Sequence, residues 1–202
     1  MIKAGIIGST GYAGGELARL LLQRDDIEIK WYGSRSYIDQ KYASIYRNVC
    51  RIVDDACMDD NMKELADQVD VVFTATPQGL CASLVDEDVL SKVKVIDLSA
   101  DFRIKDVSVY EKWYKLTHAS PQFIGEAVYG LPEINREKVK KARLIANPGC
   151  FPTYSFLSTY PLVKAGTIDP NTLIIAAKTG TSGTGKGRQV DRRTCQVNAT
   201  IK

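Results

Sequence analysis

At 202 residues, 45% hydrophobic and 25% charged, the chain has the make-up of an ordinary globular protein with room for one domain or two small ones. Its net charge of +3 is small, and Lys and Arg are interspersed with Asp and Glu, which excludes a nucleic-acid-binding face. No apolar run reaches the roughly 18 residues of a membrane span, the first one meets glycines too soon for a signal peptide, and the five cysteines, odd in number and without a Cys-x-x-Cys pair, read as free thiols of a reducing, cytoplasmic compartment.

Taken in chain order, short β-branched runs at residues 3–7, 27–32, 71–76, 94–98 and 144–146 read as strands. Between them, apolar residues at helical spacing predict helices over residues 16–24, 61–69, 80–91 and 110–116. This alternation implies a doubly wound, mostly parallel sheet of α/β class. Beyond residue 150 the pattern predicts a helix over residues 152–164, a strand at residues 173–177 and a glycine-rich loop at residues 180–187.

Gly8-Ser9-Thr10-Gly11-Tyr12-Ala13-Gly14 directly follows the first strand and opens the first helix. In that setting glycine lets backbone N–H groups approach a pyrophosphate, and the positive end of the helix dipole favours its charge. The spacing GxxGxxG departs from the commoner GxGxxG, so its position carries more weight than the pattern. Where an NAD site places a carboxylate for the ribose hydroxyls, at the end of the second strand, this chain has Gly33-Ser34-Arg35-Ser36. An Arg flanked by two hydroxyls suits a 2′-phosphate, so the expected cofactor is NADP. Thr76-Pro77-Gln78-Gly79, at the carboxyl end of the 71–76 strand, reads either as the border of the nicotinamide half, with Pro77 in contact, or as an ordinary strand-to-helix turn.

Asn147-Pro148-Gly149-Cys150-Phe151-Pro152-Thr153 sets a cysteine between a strand and a helix, with Pro152 suited to the first helical turn. Backbone N–H groups at a helix N-terminus favour the thiolate that attacks carbonyl carbon, which makes Cys150 the candidate nucleophile. Cys50, Cys57, Cys81 and Cys195 read as small buried apolar residues.

Five separated segments together resemble N-acetyl-γ-glutamyl-phosphate reductase, an arginine-biosynthesis family related to aspartate-semialdehyde dehydrogenase. They are Gly8 to Gly14, Asp97-Leu98-Ser99-Ala100-Asp101-Phe102-Arg103, Tyr129-Gly130-Leu131-Pro132-Glu133, Asn147 to Thr153, and Thr181-Ser182-Gly183-Thr184-Gly185. The resemblance runs the length of the chain, with the Asp97 to Arg103 and Pro-Gly-Cys runs its specific parts. Phe151 stands where the family usually has Tyr, and Lys186 where Arg commonly closes the loop. The resemblance implies that Cys150 attacks the acyl phosphate of N-acetylglutamyl phosphate and expels phosphate. The thioester is then reduced by NADPH and N-acetylglutamate 5-semialdehyde is released. Arg103 becomes a candidate for binding the substrate's phosphate or carboxylate, with a structural salt bridge as the alternative. Ser182 and Gly183 resemble the family's loop beside the cofactor, where Lys178 or Lys186 would add positive charge. A homo-oligomer, dimer or tetramer, is also implied.

Such a mechanism needs a general acid/base, usually His. The chain has one histidine, His118, which precedes Cys150 and reads as a surface or structural residue. The family's catalytic His belongs to a segment that would follow Lys202. The residues after Cys150 supply about one helix and one or two strands, too little for a two-layer domain. The expected organisation is therefore a Rossmann-type doubly wound parallel sheet over residues 1–149 that binds NADP, followed at residues 150–202 by the beginning of an α+β catalytic domain. This would be the amino-terminal part of a longer reductase, or a truncated gene product, with little or no turnover on its own. The rival readings are a related acyl-phosphate reductase of the aspartate-semialdehyde dehydrogenase kind and a non-catalytic NADP-binding module. A short-chain dehydrogenase has no use for Pro-Gly-Cys, and its Tyr-x-x-x-Lys pair occurs here as Tyr37 to Lys41, far too early in the chain.

Overall fold

The computed structural model describes residues 1–178 and 180–185. The chain divides into two compact units, Met1–Asn147 and Pro148–Lys202. In the first, the β-branched runs form β1 (Ile2–Ile7), β2 (Ile27–Gly33), β4 (Val71–Thr74), β5 (Lys94–Asp97) and β7 (Leu144–Ala146), joined by the two-residue strands β3 (Cys57–Met58) and β6 (Val128–Tyr129). The sheet order is β3-β2-β1-β4-β5-β7-β6, and every pairing is parallel.

Parallel neighbours need crossovers, and these bring α1 (Tyr12–Leu21), α2 (Tyr42–Ile45), α3 (Met62–Ala66), α4 (Leu80–Leu84), α5 (Glu87–Lys92), α6 (Val107–Tyr114) and α7 (Pro132–Lys141). Strands covered on both faces must be apolar on both, which is why they read as runs and not as alternations. Successive residues then feed opposite cores. Ile6 and Tyr32 join Ala18, Leu21 and Tyr42 in one cluster, whereas Ile7 and Trp31 join Leu65, Val72, Val89 and Val95 in the other. Each such fully buried large side chain stabilises the unit by about 1.5–3 kcal/mol.

The structure differs from the sequence-based expectation at several elements. The helix expected over residues 80–91 is two helices, because Val85 is extended and Asp86 caps a new start with its carboxylate on the Val89 N–H. Helix α1 begins at Tyr12, inside the glycine turn. The strand expected at residues 173–177 is not formed; these residues have no regular structure, and Ile174 is 94% exposed. A strand exists only where a neighbour takes its hydrogen bonds, and among the described residues none pairs there. In the second unit the described regular elements are α8 (Cys150–Lys164) and single 3-10 turns at Pro170–Thr172 and Thr181–Thr184. No helix among the described residues is long and apolar enough to cross a membrane.

Candidate functional site

The strand order reverses at β1, with β2 and β3 on one side and β4 and β5 on the other. Ligands of such sheets bind outside the carboxyl ends of the strands at this point. A cleft of about 210 Å³ lies there, walled by Gly8, Thr10 and Gly11 after β1, Ser34, Arg35 and Ser36 after β2, Asp60 after β3, and Thr76 and Pro77 after β4. Ser9, Tyr12, Ala13 and Gly14 stand outside its wall. Ser9 is buried and its hydroxyl donates to the Gly33 carbonyl at 3.0 Å, so it locks the turn to β2.

The three glycines do different jobs. Gly8 has φ +81°, and a Cβ on it would sit 2.3 Å from the Ala75 carbonyl oxygen, so the turn is closed to any other residue. A Cβ on Gly14 would sit 2.2 Å from the Gly8 carbonyl oxygen; glycine lets α1 pack against the turn. At Gly11 a Cβ would meet the Gly8 carbonyl oxygen alone, at 3.4 Å, so its side is open space on the cleft wall. Gly11 is also the N-cap of α1 and carries no side-chain cap, leaving the positive helix end to whatever occupies the cleft. A helix start without a side-chain cap, beside glycines that leave the cleft wall open, fits a dinucleotide pyrophosphate.

Two tyrosines overlooked by the sequence reading hold this turn. The Tyr42 hydroxyl donates to the Ser9 carbonyl at 3.2 Å, and the Tyr46 hydroxyl is shared between the Thr10 and Gly11 carbonyls at 3.1 and 2.7 Å. The Thr10 and Ser34 hydroxyls hydrogen-bond each other at 2.8 Å, joining the first turn to the second. Arg35 is 61% exposed, and its Nε donates to the Asp60 carboxylate at 2.5 Å. The end of β2 indeed carries no carboxylate, but the neighbouring end of β3 brings one into the same cleft.

The Asp97 to Arg103 run is a scaffold beneath the third turn. Asp97 is fully buried and accepts from the Thr74 hydroxyl and from both the N–H and hydroxyl of Ser99; burial pushes its carboxyl above the usual range. Asp101, also buried, accepts from the Gly79 and Ala82 N–H groups and the Tyr110 hydroxyl, which fixes the turn that carries Pro77. His118 is buried rather than superficial. Its Nδ1 accepts from the Ser120 N–H, so its Nε2 donates to the Asp101 carbonyl at 2.7 Å. Arg103 places Nε on the Asn147 carbonyl at 2.6 Å and Nη2 on the Leu98 carbonyl at 2.7 Å. The expected structural alternative, a salt bridge, is replaced by bonds to main-chain carbonyls.

In the second unit Cys150 is the first residue of α8 and is exposed; its N-cap, Gly149, makes no side-chain cap. Pro152 lies in the first turn as expected, where its missing N–H has no helical acceptor to lose. The Tyr154 hydroxyl, one turn along, is pushed above its ordinary range by desolvation first and the Cys150 sulfur second. Ser182 and Gly183 are exposed on the Thr181–Thr184 turn, and Lys178 is exposed; Lys186, Gly187 and Cys195 lie outside the described residues. Of the cysteines read as buried, Cys57 and Cys81 are buried, with thiols pushed up by burial, whereas Cys50 is exposed.

Residues 3–142 match the family model for the semialdehyde dehydrogenase NAD binding domain. The chain belongs to the semialdehyde dehydrogenase family. Residues 150–202 match the dimerisation domain of the same family. The chain is 65% identical over 203 aligned residues to N-acetyl-gamma-glutamyl-phosphate reductase of Lachnospira eligens and 63% identical over 202 residues to that of Lachnoclostridium phytofermentans. Each alignment covers all of this chain and 58% of the relative, so the chain spans little more than half the length of these semialdehyde dehydrogenase-family reductases. The aspartate semialdehyde dehydrogenase II of Vibrio cholerae shares the fold, with TM-score 0.56 and 20% identity over 82% of this chain and 47% of that one. The Rossmann-type parallel sheet and the resemblance read from the five segments are both borne out.

Proposed function

We propose that this chain supplies the NADP-binding and nucleophile-bearing part of a cytoplasmic reductase that converts N-acetyl-γ-glutamyl phosphate to N-acetylglutamate 5-semialdehyde in arginine biosynthesis. The observation that carries the reading is Cys150 at the uncapped start of α8, in a chain 65% identical along its whole length to a reductase of that name. Residues 1–149 serve as the cofactor domain and residues 150–202 begin the catalytic and oligomerisation domain, which agrees with the two family models.

The Gly8 to Gly14 turn and the start of α1 hold the pyrophosphate. Ser34, Arg35 and Ser36 hold the 2′-phosphate and Pro77 borders the nicotinamide; Ser182 and Gly183 are assigned to the cofactor on the family resemblance alone. When bound, NADPH supplies the hydride. The Cys150 sulfur adds as the thiolate to the acyl carbon; the C–O bond to phosphate breaks and phosphate departs with its electron pair. Once the thioester carbonyl has been reduced, the C–S bond breaks, returning the electron pair to sulfur and releasing the aldehyde. Arg103 orients the substrate's anionic group.

The test is a graft of residues 1–202 onto the remaining segment of the Lachnospira eligens relative. NADPH oxidation dependent on N-acetyl-γ-glutamyl phosphate is expected, and Cys150→Ser should lower it by about 10³-fold or more while nucleotide binding persists. A Cys150→Ser graft that still turns over, or a graft that prefers aspartyl phosphate, would sink the reading.

A further inference from the structure

We propose that Asp60 is a specificity-determining residue of the cleft, one that admits a ribose bearing a free 2′-hydroxyl alongside one bearing a 2′-phosphate. The inference rests on the nucleotide-binding reading of the cleft and adds to it a residue that the sequence pattern does not assign. Arg35 and Asp60 stand together on the cleft wall beside Ser34 and Ser36, bonded Nε to Oδ2. Their charges cancel, so a 2′-phosphate arriving there meets no net positive charge from the pair. Among the described residues, the Arg35 side chain makes its hydrogen bond and ion pair to Asp60.

The two partners are not equally fixed. Asp60 is 19% exposed and follows a segment tied to β2 twice: the Met58 carbonyl accepts the Ser34 N–H at 2.7 Å, and the Asp59 carbonyl accepts Trp31 Nε1 at 2.9 Å. Arg35, at 61% exposed, is a long side chain in solvent. The anion is therefore the anchored member and the cation the movable one. A fixed carboxylate at the ribose end accepts hydrogen bonds from a 2′,3′-diol, as the acidic residue of NAD sites does. The same carboxylate opposes a 2′-phosphate as a like charge, whichever way Arg35 turns.

The test measures the binding of 5′-AMP and 2′,5′-ADP to the 202-residue chain by calorimetry. The wild-type chain should bind both. Asp60→Asn, which is nearly isosteric, should shift the affinity ratio toward 2′,5′-ADP by about tenfold or more, the size of one like-charge contact removed at a partly exposed site. The shorter Asp60→Ser should shift it in the same direction. An unchanged ratio overturns the proposal. So does a shift toward 5′-AMP, which would make Asp60 a positioning partner of Arg35, and so does a wild-type chain that binds 2′,5′-ADP alone. A wild-type chain that binds neither nucleotide overturns the nucleotide-binding reading itself, and the role of Asp60 with it.

Discussion

Arg103 joins the carboxyl ends of two strands, since Leu98 follows β5 and Asn147 follows β7, and its guanidinium donates to the carbonyl of each. Hydrogen bonds to a charged group contribute more than neutral ones, and these two acceptors are part-buried. Arg103→Leu is therefore expected to lower the unfolding free energy of the ligand-free chain by about 1.5–3 kcal/mol. Differential scanning calorimetry should show this as a drop in Tm of several degrees. An unchanged Tm, with binding of the acyl phosphate lost, would mean that the carbonyl bonds contribute nothing and that the anion is the whole reason for the residue. At this scale the sequence discloses a residue's chemistry better than its partners. The glycine turn was legible because its steric demands are local to a few residues. Asp60, 25 residues from Arg35, and Asn147, 44 residues from Arg103, are brought in by strand pairing, which leaves no mark at the partnered position.

Helix α5 shows how an element can hide inside another's pattern. Leu84, Val85 and Leu90 keep helical spacing across residues 80–91, yet Asp86 ends one helix and starts the next. Its carboxylate accepts the Val89 N–H at 2.9 Å, with Glu87 and Asp88 in the first turn. That Asp-Glu-Asp signature was available in the sequence, and capping by Asp was the stronger signal. The Val89 N–H, and after it Lys63, hold the Asp86 carboxyl below the usual carboxylate range. The folded state therefore binds this proton less readily than the unfolded one. The stabilisation is present above about pH 4 and is lost as pH falls through the lower folded value. Asp86→Ala is expected to cost about 1 kcal/mol at neutral pH, Asp86→Asn less because it keeps an acceptor oxygen. Urea unfolding at about pH 7 and about pH 3 should show the Asp86→Ala deficit shrinking at the lower pH; a deficit equal at both would rule out the charged cap. The two-residue strands β3 and β6 were not legible by comparable means, because two residues carry no period.

Over the whole molecule the two units bury their apolar residues very differently. The first places them in clusters on both faces of the sheet, and that arrangement followed from the alternation of runs and amphipathic stretches along the chain. In the second, none of the fifteen residues of α8 is buried, although Phe151, Tyr154, Phe156, Leu157, Tyr160 and Leu162 ring the helix. A helix apolar all round belongs in a core, and its exposed rings and methyls attract whatever apolar surface is at hand. Periodicity identified this helix but was silent on its cover, because cover comes from contacts between segments distant in sequence or between chains. The match of residues 150–202 to a dimerisation domain makes a second copy the expected cover. The chain should accordingly sediment as a concentration-dependent oligomer, and the double variant Phe156→Lys, Leu157→Lys should move it toward monomer, with the far-ultraviolet spectrum of the first unit retained. Sedimentation as a monomer at all concentrations, with both apolar residues in place, would show that α8 does not bring copies together.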